Sequence, residues 1–108
     1  MSISVLANDI VAAAGDETPV ESMETEFLPG RTVAAHIHCS GMTGTFPSVK
    51  IQGSNTSATT GFVDLLEVAN LDGYKVASVI AQRWMRANVI TAAGTTAGRY
   101  TAWLEGGP

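Results

Sequence analysis

Several features that commonly fix the chemistry or location of a small protein are scarce in this chain. Its 108 residues include one cysteine, Cys39, so no intrachain disulfide can form, and the sequence is expected to be kept in a reducing cytosol. Charged residues make up only 15% of the chain and the formal net charge is −4, which argues against a protein that grips duplex DNA by its phosphates. No apolar run reaches the length of a membrane-spanning helix. The beginning, MSISVLANDIVAAAGDE, lacks the basic start of a secretory signal and carries Asp9 early. With two histidines and no glycine loop of phosphate-binding spacing followed by lysine, neither a full zinc ligand set nor a nucleotide cradle is apparent.

What is present is a period of two. In TVAAHIHCS, Val33, Ala35, Ile37 and Cys39 alternate with Thr32, Ala34, His36 and His38. Val49 and Ile51 alternate with Lys50 and Gln52; Met85, Ala87 and Val89 with Trp84, Arg86 and Asn88; Tyr100, Ala102 and Leu104 with Thr101, Trp103 and Glu105. Such alternation puts every second side chain on one face of a half-buried strand. LANDIVAAAG and FVDLLEVANL read as strands because their neighbours are strand-like, and ESMETEFL supplies further strand material. Glycine, proline, asparagine and aspartate punctuate these runs at Pro29-Gly30, Ser40–Ser48, Gly53–Gly61, Asn70–Tyr74 and Thr91–Gly98. The reading is a single all-β domain over residues 1–108, an antiparallel β-sandwich of jelly-roll type, with residues 1–19 as an acidic arm or edge strand.

The candidates for chemistry are few. His36 and His38 share a strand face, but Cys39 points the other way, so a metal site would lack a third ligand. Cys39 reads as a small buried hydrophobe. Asp64 and Glu67 are expected on opposite faces of their strand, which is wrong for a paired-carboxylate site. No catalytic residue, metal or cofactor is expected. Trp84 and Trp103, on strands expected to be hairpin neighbours, combine with Arg83, Arg86 and Arg99 into a candidate contact cluster, since tryptophan and arginine are enriched at interface hot spots. Charge is also segregated. Residues 1–30 hold Asp9, Asp16, Glu17, Glu21, Glu24 and Glu26 with no lysine or arginine, whereas the remainder holds four acids and six bases.

The order of an acidic strand, PGRTVAAHIHCSGMTGTFPSVKIQGSN, FVDLLEV, RWMRANV, a Gly/Thr loop and YTAWLEG resembles small β-sandwich virion proteins of tailed bacteriophages, of the capsid decoration or cement kind. The resemblance covers about residues 20–106. Phe62 fills the aromatic place after the Ser-Asn turn, and Thr56 stands where aspartate is commoner. It implies a virion protein, made in the host bacterial cytoplasm, that binds the capsid surface as a homotrimer and bridges neighbouring capsomers of the major capsid protein. On this reading Asp16, Glu17, Glu21, Glu24, Glu26, Trp84, Arg86 and Trp103 are the candidate capsid or subunit contacts. Two rivals remain: a carbohydrate- or receptor-binding module of a head fibre or tail that stacks sugars on Trp84 and Trp103, and a metal-dependent enzyme using His36 and His38.

Overall fold

A computed structural model describes residues 2–12, 17–19, 22–40, 48–69, 71, 73–90 and 98–106, with the backbone alone at Ser2, 9–12, 17–19 and Ile90. Its nine described strands are β1 (Ser2–Ala12), β2 (Glu17–Pro19), β3 (Met23–Glu24), β4 (Thr32–Ser40), β5 (Ser48–Ser54), β6 (Val63–Val68), β7 (Gly73–Ile80), β8 (Trp84–Ile90) and β9 (Gly98–Gly106). No described residue is helical. Sheet A has the order β1-β9-β4-β7, and sheet B the order β2-β8-β5-β6, with β3 also paired to β8. All pairings are antiparallel, and the two sheets pack face to face as a β-sandwich.

The alternation predicted the core well. Val33, Ala35, Ile37, Val49, Ile51, Met85, Ala87, Val89, Tyr100, Ala102 and Leu104 are all buried between the sheets, together with Cys39. LANDIVAAAG is extended through Ala12, and FVDLLEVANL contains β6. In β1 a register shift falls between Val5 and Ala7, and it lets the consecutive residues Leu6 and Ala7 both face the core. Gly53 is required by close approach, because a Cβ there would lie 2.4 Å from Gln82 Cγ and 2.8 Å from Met85 Sδ.

Three local expectations need correction. Among the described residues of ESMETEFL only Met23–Glu24 is strand; beyond it the chain turns so that buried Phe27 closes one end of the sandwich, where a Cβ on Gly106 would come within 2.7 Å of its ring. The turn signal expected over Asn70–Tyr74 overlaps a strand, because Gly73 and Tyr74 open β7, an edge of sheet A that runs on through residues given no element in the sequence. Apolar residues of both parities, Val76 beside Ala77 and Val79 beside Ile80, hide its period of two. Finally, β8 and β9 are not hairpin neighbours. β8 lies in sheet B and β9 in sheet A, so the connection between them crosses from one sheet to the other. The turn signals within residues 41–47 and 91–97 lie outside the described residues.

Candidate functional site

The crossing from β8 to β9 separates the two tryptophans. Met85 and Leu104 are buried, so their neighbours Trp84 and Trp103 point outward from different sheets. The expected Trp84–Trp103 cluster therefore does not exist. Each tryptophan has its own surroundings, and these define two unlike outer surfaces.

On the outer face of sheet B, side chains bond laterally. Gln52 is buried by its neighbours although it points outward from β5. Its Nε2 donates to Asp64 Oδ1 at 2.8 Å, and its Oε1 accepts from Arg86 Nε at 2.8 Å. The Arg86 guanidinium lies 4.1 Å from the centre of the Phe62 ring, a cation–π contact. Lys50 Nζ is 3.2 Å from Asp64 Oδ2 and 3.8 Å from Glu67 Oε2. These distances overturn the expectation that Asp64 and Glu67 face opposite ways. A register shift opposite Ile51 and Gln52 pairs Gln52 with Asp64 and Lys50 with Glu67, and the bulge brings both carboxylates to one lysine. The hydrogen bonds from Gln52 and then Lys50 hold the Asp64 carboxyl below its ordinary range, which suits an ion-paired carboxylate and not a general acid. Trp84, at the β3 end of the same sheet, lies 5.5 Å from the Arg83 guanidinium, and Arg83 Nη2 is 3.6 Å from Glu24 Oε2.

The loop after β5 is closed on itself. Ser54 Oγ accepts from the backbone N–H of Thr56 at 3.0 Å and donates to the Thr60 carbonyl at 2.7 Å, while Ser57 Oγ accepts from Thr60 N–H at 2.9 Å. Asn55 Oδ1 accepts from Arg83 N–H at 2.7 Å. Its serine hydroxyls use amides that a phosphate cradle would aim outward.

The outer face of sheet A is of another kind. Registers across all four strands align Val5, Trp103, His36 and Val76 in one row. Ile3 and Glu105 lie in the next row, with Ala34 and Ser78, and Tyr74 pairs with His38 on the other side. Among the described residues, five of the seven large exposed hydrophobics project from this face: Ile3, Val5, Tyr74, Val76 and Ile80, each between 45% and 53% exposed. Contiguous apolar exposure of this kind marks contact sites. Three rings stiffen its centre. His36 stacks on Trp103 with ring centroids 4.9 Å apart and planes 2° from parallel, and Tyr74 leans on both. The Tyr74 hydroxyl bonds to His36 Nδ1, and His36 Nε2 lies 3.5 Å from Glu105 Oε1.

The candidate contacts are thus dispersed. Trp103 sits in the apolar face, Arg86 in the network on sheet B, and Trp84 at the end of sheet B. Glu24, paired with Trp84, and Glu26 are exposed, whereas Asp16, Glu21 and the side chain of Glu17 lie outside the described residues. By backbone, Glu17 is in β2, paired with Ile90, so the acid-rich segment borders β8 at residues 17–19 and 23–24. His36 and His38 both point outward, and among the described residues no three potential metal ligands cluster. Cys39 is buried. The sequence reading missed Ile3, Val5, Tyr74, Val76 and Ile80; the apolar second parity of KVASVI was the available signal.

Comparison with known proteins adds the fold alone. No protein-family model matches the chain, and no curated protein matches it. A solved structure titled "Crystal structure of PirA" is similar, with a TM-score of 0.57 and 16% sequence identity over 93% of this chain and 94% of that chain.

Proposed function

We propose that the protein is a structural virion protein that binds the outer surface of a phage capsid and stabilises the shell by bridging capsomers, without catalysing a reaction. The observation that supports a docking role is the gathering of exposed apolar side chains on one outer sheet face. The resemblance to decoration proteins supplies the capsid as partner. The strand order of the two sheets supports the jelly-roll type, because chain neighbours such as β1 and β2, or β8 and β9, lie in different sheets. A rigid sandwich spends little ordering entropy on contact. Binding energy that is lost when the shell opens stabilises the closed shell by linkage, and repetition over the lattice multiplies a modest contribution per copy. The acid-rich segment bordering sheet B offers carboxylates to a basic capsid surface, as β2 and β3 hold it along one margin of the sandwich.

The alternative is a carbohydrate- or receptor-binding module. Trp103, Tyr74 and His36 favour it, since sugars pack on aromatic rings. Two features weigh against it: His36 already covers one face of the Trp103 indole, and Trp84 belongs to the other sheet. The deciding experiment is binding of the purified chain to undecorated capsids of the phage that encodes it, across a salt series. Saturable binding at hundreds of copies per particle is expected. A variant with Asp16, Glu17, Glu21, Glu24 and Glu26 changed to amides should bind less tightly at low salt and about equally at high salt. No capsid binding together with selective glycan-array signal, lost in Trp103→Ala, would replace this reading with the alternative.

A further inference from the structure

Among the described side chains the apolar face of sheet A is nearly neutral, although the chain carries −4. Its outward residues include Ile3, Val5, His36, Tyr74, Val76 and Trp103, and the formal charges among the described ones are Arg99 and Glu105. An acidic or basic partner finds no complement there, whereas two such faces do not repel one another. We propose that the outer face of sheet A is the interface between two copies of this chain, packed sheet on sheet about a two-fold axis. The inference goes beyond the capsid reading: paired copies cover this face against each other and leave the acid-rich margin along β2 and β3 to meet a capsid.

Two observations select a second copy. The first is charge placement along β9, which carries Arg99 near its start and Glu105 near its end, both outward, with Thr101 and Trp103 between them. A two-fold axis lying in the interface and crossing the strands level with Ala102 sets β9 antiparallel over β9 of the second copy. Arg99 of each copy then falls over Glu105 of the other, while Trp103 faces Thr101 and Val76 faces Tyr74. One strand's polarity thus satisfies both copies, as an isologous contact requires. The second observation is size. Four strands about 4.8 Å apart that overlap over about eight residues give roughly 500 Å² in projection. With side chains standing off the sheet, two such faces bury on the order of 1,200 Å², the lower end of specific stable interfaces. A ring of three, as the decoration resemblance implies, joins two different patches in each contact; here the exposed apolar side chains lie chiefly on one.

The test is sedimentation of the full chain from micromolar to several hundred micromolar. A monomer–dimer equilibrium is expected. Val76→Glu, which puts a charge at the centre of the contact, should raise the dissociation constant at least roughly thirtyfold, as loss of a hot spot does. Val63→Glu on sheet B, also exposed, should leave it unchanged. Arg99→Glu and Glu105→Arg should each weaken the dimer, and the double swap should restore it, a result that loss of folding cannot produce. In a Trp84→Phe background, emission from Trp103 should shift to the red on dilution. A monomer throughout the range, a trimer, equal disruption by Val63→Glu, or failure of the double swap to restore the dimer would each overturn the proposal. A monomer that still saturates capsids would remove this inference and leave the capsid reading intact; a dimer indifferent to capsids would do the reverse.

Discussion

The outer faces of the two sheets were built from similar strands and came to opposite ends. On sheet B, Lys50, Gln52, Asp64, Glu67 and Arg86 satisfy one another within the face. On sheet A, the corresponding outward positions carry Ile3, Val5, Tyr74, Val76 and Ile80 in water, around a ring stack that is already rigid. A self-satisfied polar surface gains little from a partner, because any partner must first break bonds that exist. An apolar surface gains from any partner that fits it. Among the described residues apolar exposure is therefore concentrated on sheet A, and the sandwich is polarised between a self-bonded polar face and an apolar one.

That comparison holds only if the sheets are alike within. Ile37 in sheet A and Ile51 in sheet B are both fully buried, so Ile37→Ala and Ile51→Ala should each cost about 2–4 kcal/mol in denaturant unfolding. A loss well under half of that at one of them would mean that the sheets differ in their cores as well as outside. The outer faces should part at the next level. Gln52→Ala removes the group between Arg86 and Asp64 and should cost about 1–3 kcal/mol. Val76→Ala, measured at low protein concentration, should cost under about 1 kcal/mol, because the side chain is already half in water. Equal costs would erase the distinction between a bonded face and an unpartnered one.

Tyr100 gives a smaller and more specific test on the inner side of sheet A. Its hydroxyl is buried without a hydrogen-bond partner among the described residues, and burial, with a smaller contribution from the neighbouring Cys39, pushes its pKa up to about 12. The unfolded phenol titrates near 10. The folded state thus holds its proton longer, so the stability is intact below about pH 10 and falls as pH rises through 12. Tyr100→Phe should change stability at neutral pH by no more than about 1 kcal/mol, since no bond is lost, and should flatten the alkaline decline. An unchanged alkaline profile in Tyr100→Phe would assign that decline to another group.

How much of this was legible in the sequence follows from the reach of each signal. Alternation is local, so Val33 to Cys39, Val49 and Ile51, and Tyr100 to Leu104 could be assigned inward by counting. Which sheet a strand joins is not local. The passage from β8 to β9 looks like a hairpin until the long-range pairings place Trp84 and Trp103 on different sheets. Parity counting also fails at a bulge: one extra residue opposite Ile51 and Gln52 turned Asp64 and Glu67 to the same lysine. In β7 the counting failed for a third reason. A strand with apolar residues on both faces has no contrast to count, and that loss of contrast is itself the mark of the exposed apolar face.

The smallest effect expected separates the two faces by their response to ions. Asp64 is half exposed, with its carboxylate between Gln52 and Lys50. Its folded pKa is depressed, so its contribution is present above the unfolded carboxylate range and is lost as pH falls through the folded value. Water screens such a pair, which limits Asp64→Asn to about 0–1 kcal/mol at neutral pH, and added salt should shrink even that. The amide can still accept from Gln52 but no longer attracts Lys50, so the residual loss at high salt measures the hydrogen bond and the salt-sensitive part measures the ion pair. On sheet A the reverse dependence is expected. Val5, Trp103 and Val76 offer apolar contact to a second copy under the proposed pairing, and sulfate, which is excluded from protein surface, strengthens burial of such groups. Raising sulfate should therefore weaken the effect of Asp64→Asn while deepening association through sheet A. If both responses moved the same way, the division of the sandwich into an ion-paired face and an apolar one would fail as an account of how its surfaces act.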